Sequence, residues 1–333
     1  MRTRFRFPAD LEHEDREYLD RLEGIEPRPI FVMGLHRSGT TFLFETLARV
    51  FPLAALNAHR IFFYPRLLAR EEAGRTAEDQ RALDDHFASL GLDSRQVDDI
   101  ALSHATVEEY GWFLKRYGAS PRLERRTAGL FAEACRKLRA LEPEAEAVIG
   151  KNPWDTGFAP RIRELFPDAR FVWIRRHPLR ILQSQFRNAL IFGAGPAPYL
   201  ELLMEGFPAA RGVIGWQRTL YKMVGERRYG RIMLRVVMGD IARQLEAYER
   251  SIEALPEASR CEISYGELIR EPRATLERLG AFLEIEPTIP LDVVAPRPRR
   301  LELHPEVERV RDSFEARLKK RGAWERFAED EDS

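Results

Sequence analysis

Residues Gly34 to Thr41, GLHRSGTT, join an apolar run, PIFVMG, to a helical pattern, TTFLFETLARVF. Two glycines at this separation, between a strand and a helix, frame a phosphate-cradling loop. Gly34 and Gly39 let the backbone wrap closely on an anion. The free N–H groups at the helix start, with the positive end of its dipole, favour that anion. Ser38, Thr40 and Thr41 add hydroxyl donors, and His36 lies within the loop on the phosphate side. Arg37 brings a permanent charge on a planar fork of donors. A nucleoside triphosphatase carries lysine after the second glycine; here the residue is Thr40.

A second anion site is legible in IRRHPLRILQS. Arg176 and Ser184 stand eight residues apart across Pro178, which suits a first helical turn. A guanidinium at the strand end and a hydroxyl two turns along the helix can grip one more phosphate. A magnesium–triphosphate site also wants an acidic partner at a strand end. AVIGKNP and FVWIRRHP end in cations instead, Lys151 and Arg176 among them. Such edges favour an anion neutralised by the protein directly, with no metal required. No Cys/His cluster has zinc spacing, and no G-x-S-x-G elbow is present.

The elements that must hold these groups follow an alternating pattern. PIFVMG, AVIGK (Ala147 to Lys151) and ARFVWIRR (Ala169 to Arg176) are compact apolar runs, each followed by a turn and a helical pattern. RCEISY (Arg260 to Tyr265) is a fourth such run. The alternation predicts an α/β fold, a P-loop-type parallel sheet flanked by helices. Long helical insertions are expected between the first two of these runs and across Pro198 to Leu255. The expected organisation is one domain over residues 1–333, with a core at about 27–290. A basic loop and a helix are expected over 291–328, the loop including VAPRPRR (Val294 to Arg300) as an extended segment. Lysine plus arginine balances aspartate plus glutamate, 53 against 53, which argues against a globally basic nucleic-acid binder. Two cysteines make no disulfide framework and fit a reduced, cytoplasmic setting. The N-terminus turns acidic from Asp10, after Arg2, Arg4 and Arg6, and lacks an apolar signal core, and no run is long enough for a membrane span.

Taken together, these segments resemble the sulfotransferases that use 3′-phosphoadenosine 5′-phosphosulfate (PAPS). MGLHRSGTTFL is similar to their loop for the 5′-phosphosulfate. Arg176 and Ser184 match their Arg…Ser pair for the 3′-phosphate, and Lys151 in GKNPW matches a Lys-x-Pro segment about 25 residues earlier. ISYGELIREPRATLERLGAFLEI resembles a later family segment whose tyrosine, here Tyr265, lies beside the nucleotide. The resemblance covers about Pro29 to Ile285. It implies PAPS as donor, adenosine 3′,5′-bisphosphate (PAP) as product and no essential metal. It also implies that Arg37 stands where some members have a lysine before the serine. Phe42 replaces a tryptophan of some members, and Arg297 to Arg300 are a poor match to the basic loop that covers the 3′-phosphate in some relatives.

Sulfuryl transfer calls for in-line displacement, with charge growing on the bridging and leaving oxygens. Catalysis then rests on positioning and electrostatic stabilisation, for which Arg37 and Lys151 are the candidates. A base must take the acceptor's proton. The histidine that cytosolic members carry two residues after the lysine is Pro153 here. His59 in LNAHRIFF is the first candidate, with His104, Glu108 and Glu109 in VEEYGWFL as the others. The acceptor is expected to be a small-molecule, glycan or lipid hydroxyl, or an amine, taken up beside segments such as ALIFGAGPAPYLELLMEGF. Many relatives pair, so a homodimer is one expectation, although no interface signature is legible. Two other readings use the same loop: a P-loop kinase, and a PAP-binding module whose catalysis has lapsed.

Overall fold

The computed structural model describes residues 13–95, 101–118, 120–204, 208–291 and 303–328. Five strands form one parallel sheet: β1 (Pro29–Met33), β2 (Leu53–Ala55), β3 (Ala147–Lys151), β4 (Arg170–Arg175) and β5 (Arg260–Ser264). Their order is β2-β3-β1-β4-β5. Four of the five coincide with the apolar runs of the sequence. β2 was not anticipated: LAA is too short to show a period of its own and becomes a strand by pairing along β3, Ala54 opposite Val148.

β1 is buried along its whole length, so it reads as a continuous apolar run rather than an alternating one. Alternation nevertheless sorts its side chains between two cores. Phe31 and Met33 face one side with Phe171 and Trp173, and Phe31 stacks 5.4 Å from Phe171. Ile30 and Val32 face the other with Ile149, Val172 and Ile174. Helices Thr40–Val50 and Pro272–Leu283 close the second face through Leu43, Leu47, Leu276 and Leu279. The first face is closed by helices Arg125–Leu141, Pro178–Ala194 and Glu226–Glu253, among others.

Both expected insertions are helical. Between β2 and β3 run Ala58–Phe62, Leu67–Glu72, Thr76–Ser89, Tyr110–Tyr117 and Arg125–Leu141. Between β4 and β5 run Pro178–Ala194, Pro198–Leu203, Pro208–Val224 and Glu226–Glu253. The C-terminal helix expected from the sequence is three short ones, Pro305–Glu308, Arg311–Lys319 and Glu325–Ala328. Val307, Phe314, Leu318 and Phe327 sink them into the first core. The basic loop with Arg297 to Arg300 lies outside the described residues. No helix among the described residues is long and apolar enough to cross a membrane.

Because every strand runs the same way, the C-terminal ends of β1, β3, β4 and β5 share one edge. Register fixes their spacing there: Val32 lies opposite Lys151, Met33 opposite Trp173, and Arg175 opposite Ser264. Open α/β sheets take ligands in the crevice at this edge.

Candidate active site

The loop between β1 and helix Thr40–Val50 is built on backbone that other residues cannot easily adopt. Gly39 has φ 99°, and a Cβ there would overlap the Tyr265 ring. A Cβ on Gly34 would lie 2.8 Å from the Ile174 carbonyl oxygen and from Ser38 Oγ. Arg37 sits at φ 73°, the left-handed region that a non-glycine residue enters at a cost. Thr156, five residues beyond Lys151, anchors the loop's start by donating from Oγ1 to the Gly34 carbonyl at 2.6 Å.

Within this frame the polar groups converge. Arg37 Nε donates to Ser184 Oγ at 2.8 Å, so the loop arginine and the Arg…Ser pair of the next crossover meet. The Arg176 guanidinium lies 4.1 Å from the centroid of Tyr265, the ring that packs on Gly39. Gln185 Nε2 donates to the carbonyl of His36, whose side chain is exposed. Thr40 is buried at the helix start. Ser38 is 1% exposed, and its Oγ has no hydrogen-bond partner among the described residues. A buried hydroxyl without a partner is costly unless a ligand supplies one. It is the clearest fit of this loop to an anion.

Lys151 leaves the end of β3 and enters the same place. Its buried ammonium donates to Thr41 Oγ1 at 2.7 Å and pairs with Glu109 at 3.1 Å. Glu109 immediately precedes helix Tyr110–Tyr117. Its side chain makes no capping bond to that helix and turns to the lysine instead. Burial works to raise the Glu109 carboxyl, yet Lys151, His36 and Arg95 together hold it below the ordinary carboxylate range. The adjacent Glu108 goes the other way. Burial raises it despite an ion pair to Arg95 at 3.0 Å and a hydrogen bond from Tyr199 at 2.7 Å.

The first-named base lies elsewhere in the network. His59 is 4% exposed, lies tilted against Phe63 with ring centroids 5.3 Å apart, and leaves Nε2 without a partner among the described residues. Burial, then the charges of Arg60, His104 and Arg66, push it down to about 4. His59 is thus neutral at pH 7, and the charges acting on it differ from those acting on Glu109. His104 is held by Asp84, Nδ1 to Oδ2 at 2.6 Å.

Sequence reasoning took Lys151 from KNPWDT and missed its neighbours. Asp155, fully buried, accepts from Tyr110 (2.8 Å), Asn152 (2.9 Å) and the Leu123 N–H (3.1 Å), all at Oδ2. Burial outweighs these donors and pushes its carboxyl up to about 6. Asp155 and Thr156 therefore brace the turn that positions Lys151 and the loop. The signal was present as polar residues directly after a buried strand.

A strand–glycine loop–helix at the C-terminal edge of a parallel sheet defines the P-loop-type α/β class. Within it, the model of the sulfotransferase family matches residues 29–289, and the chain belongs to that family. Among solved structures it is similar to sulfotransferase STF9 from Mycobacterium avium, with a TM-score of 0.62 and 16% identity over 92% of this chain and 79% of that one. Sulfotransferase STF1 from Mycobacterium tuberculosis H37Rv gives a TM-score of 0.55 and 17% identity over 92% and 80%. At such identities the likeness is one of fold. A comparison with curated protein sequences gives no match.

Proposed function

We propose that the protein transfers a sulfuryl group from PAPS to a hydroxyl or amine acceptor, with Glu109 rather than His59 as the base. One observation carries this reading: the buried Lys151 ammonium bridges the loop hydroxyl of Thr41 and the Glu109 carboxylate. A cation so placed serves the donor's charge on one side and a proton acceptor on the other.

The donor's 5′-phosphosulfate suits the Gly34–Thr41 loop, where the Ser38 hydroxyl lacks a partner. Arg176 and Ser184 suit the 3′-phosphate, and Tyr265, already stacked by Arg176, suits the nucleoside. The acceptor oxygen attacks sulfur, the bond from sulfur to the bridging phosphate oxygen breaks, and that oxygen leaves on PAP. Arg37 and Lys151 stabilise the charge that develops on the departing phosphate. The proton of the acceptor goes to Glu109. Its pairing with Lys151 keeps it ionised at neutral pH, and an incoming anion gives the ammonium a competing partner, which raises the basicity of Glu109 when it is needed. The reading needs no metal.

The test has two arms. Calorimetry with PAP on the wild type and on Arg176→Ala reads the donor site; loss of hydrogen bonds to a charged group lowers affinity by about 10- to 100-fold. Labelled PAPS with a panel of alcohols, phenols, sugars and amines reads transfer, which a chelator leaves intact. Failure of the wild type to bind PAP, or magnesium-dependent ATP turnover, would overturn the assignment. PAP binding with no transfer to any acceptor would leave a binding module in its place.

A further inference from the structure

The large apolar side chains exposed among the described residues are Val213, Trp216, Met223, Ile232 and Val236. All lie on one helical hairpin, Pro208–Val224 and Glu226–Glu253, which turns at Gly225. Val213, Trp216 and Met223 are spaced by three and seven residues and share a face of the first helix; Ile232 and Val236, one turn apart, share a face of the second. Trp216 is 58% exposed and Met223 77%. These side chains are not what holds the hairpin to the protein. That contact uses Ile214, Tyr229, Met233 and Val237, all buried, and Tyr229 donates to the Ala189 carbonyl of helix Pro178–Ala194 at 2.9 Å. Apolar side chains clustered on a surface in this way mark an interaction face.

The charges around them identify the kind of partner. Between Val213 and Val236 the cations are Arg218, Lys222, Arg227, Arg228, Arg231 and Arg235, and the single carboxylate is Glu226. Arg218 is taken up by Glu201 at 2.5 Å, and Arg231 lies 4.0 Å from Glu306. Lys222, Arg227, Arg228, Arg231 and Arg235 are exposed. The chain as a whole is neutral, so this is a local excess. A second copy of the chain would bring the same cations against themselves, which opposes self-association through this face. Exposed tryptophan and aliphatic side chains beside lysine and arginine on a surface helix are the composition that lies in a membrane interface.

We propose that this hairpin is a peripheral docking face for an anionic lipid bilayer. Trp216 and Met223 enter the interfacial layer, and Lys222, Arg227, Arg228 and Arg235 meet the phosphate headgroups. Since helix Pro178–Ala194 carries Ser184 and packs under the hairpin, docking holds the Arg37–Ser184 edge of the sheet close to the lipid surface.

Sedimentation of the full chain with vesicles tests it. The wild type is expected to sediment with phosphatidylcholine–phosphatidylglycerol vesicles, not with phosphatidylcholine alone, and to be released by salt. Each neutralised cation lowers partitioning about fivefold, so Arg227→Gln/Arg228→Gln lowers it roughly 25-fold. Trp216→Ser/Met223→Ser lowers it at every salt concentration. These positions are exposed, and circular dichroism checks that the variants remain folded. The proposal is overturned if the wild type stays in the supernatant with anionic vesicles, or binds neutral ones equally. It is also overturned if both variants bind as the wild type does, or if the wild type is a dimer that Trp216→Ser dissociates.

Discussion

Replacing Lys151 by methionine keeps the aliphatic stem and removes the charge from a buried pair. The ammonium and the Glu109 carboxylate are 3.1 Å apart, with side chains 4% and 12% exposed. At an effective dielectric of about 20, unit charges at that distance attract by roughly 5 kcal/mol. Burial of the two ions consumes part of this, but after the substitution Glu109 keeps its own burial cost with only Arg95 to offset it. Breaking a buried pair from one side costs about 3–5 kcal/mol; residual help from Arg95 puts Lys151→Met near the lower end, at about 3 kcal/mol. Glu109 has a depressed folded-state pKa. Its stabilising contribution is therefore present above the unfolded value and lost as pH falls through the folded one. In Lys151→Met the carboxylate becomes a liability at neutral pH that protonation relieves, so the deficit against wild type should shrink on acidification. Lys151→Met/Glu109→Gln, which leaves no unpaired charge, should recover most of the stability at pH 7. Urea denaturation at several pH values measures all three proteins. Turnover should behave differently: Lys151→Met loses about 10²- to 10³-fold in kcat, and the double variant regains none of it. If the double variant is as unstable as Lys151→Met, or if the deficit is independent of pH, the coupling argued here is wrong.

Glu109→Gln alone should lower kcat by about 10²- to 10⁴-fold while PAP binds more tightly than to the wild type, because Lys151 loses its competing partner, and His59→Gln should leave kcat within a few-fold; the reverse ranking in labelled-PAPS assays would return the base to His59. Gly39→Ala forces a φ of 99° on alanine and drives its Cβ into the Tyr265 ring, so it should cost about 1–3 kcal/mol in denaturant stability. Adding Tyr265→Ala to Gly39→Ala removes the overlap but not the strain, and should restore only part of that loss. Asp155 has a raised folded-state pKa of about 6. The stability it allows is thus present below its unfolded value and is lost as pH rises through about 6. Asp155→Asn should flatten that segment of the stability–pH curve, and an unchanged slope would deny the carboxyl its raised pKa.

Most of the sheet was legible because β1, β3 and β4 are covered on both faces and so appear as unbroken apolar runs. β2 was not, since three residues carry no period and the strand exists only through its partner β3. The loop, Lys151, Arg176 and Ser184 could be named in advance because each lies at a strand end or just inside the helix that follows, where spacing along the chain dictates spacing in space. Glu109 could be named but not preferred to His59. It reaches Lys151 through the packing of an insertion, and no local spacing encodes that contact. His59 stood out by residue type, yet type does not reveal whether a ring nitrogen faces a crevice or a buried pocket of aromatic and cationic side chains. Asp155 and Thr156 were overlooked because their role is to brace other groups, and bracing has no composition signature.

The absent lysine at position 40 changes what the loop can be coupled to. A cation on the helix's first turn would be tied to the loop alone. Here it arrives from the end of β3, fixed by the register of Lys151 opposite Val32, and touches the loop only through Thr41. Its other side is then open to a group from the insertion, and Glu109 occupies it. Arg37 supplies the second charge from a left-handed backbone, at a cost of about 1–3 kcal/mol, and its side chain is held on the far side of the crevice by Ser184. The loop is thereby clamped between β3 and the helix after β4, with a carboxylate attached to one jaw. A triphosphatase lysine works beside a metal ion; this one works beside a carboxylate. On the proposed chemistry, an anion entering the loop must draw on Lys151, and whatever charge it draws away is restored to Glu109 as basicity, so that donor binding and proton acceptance become one linked equilibrium.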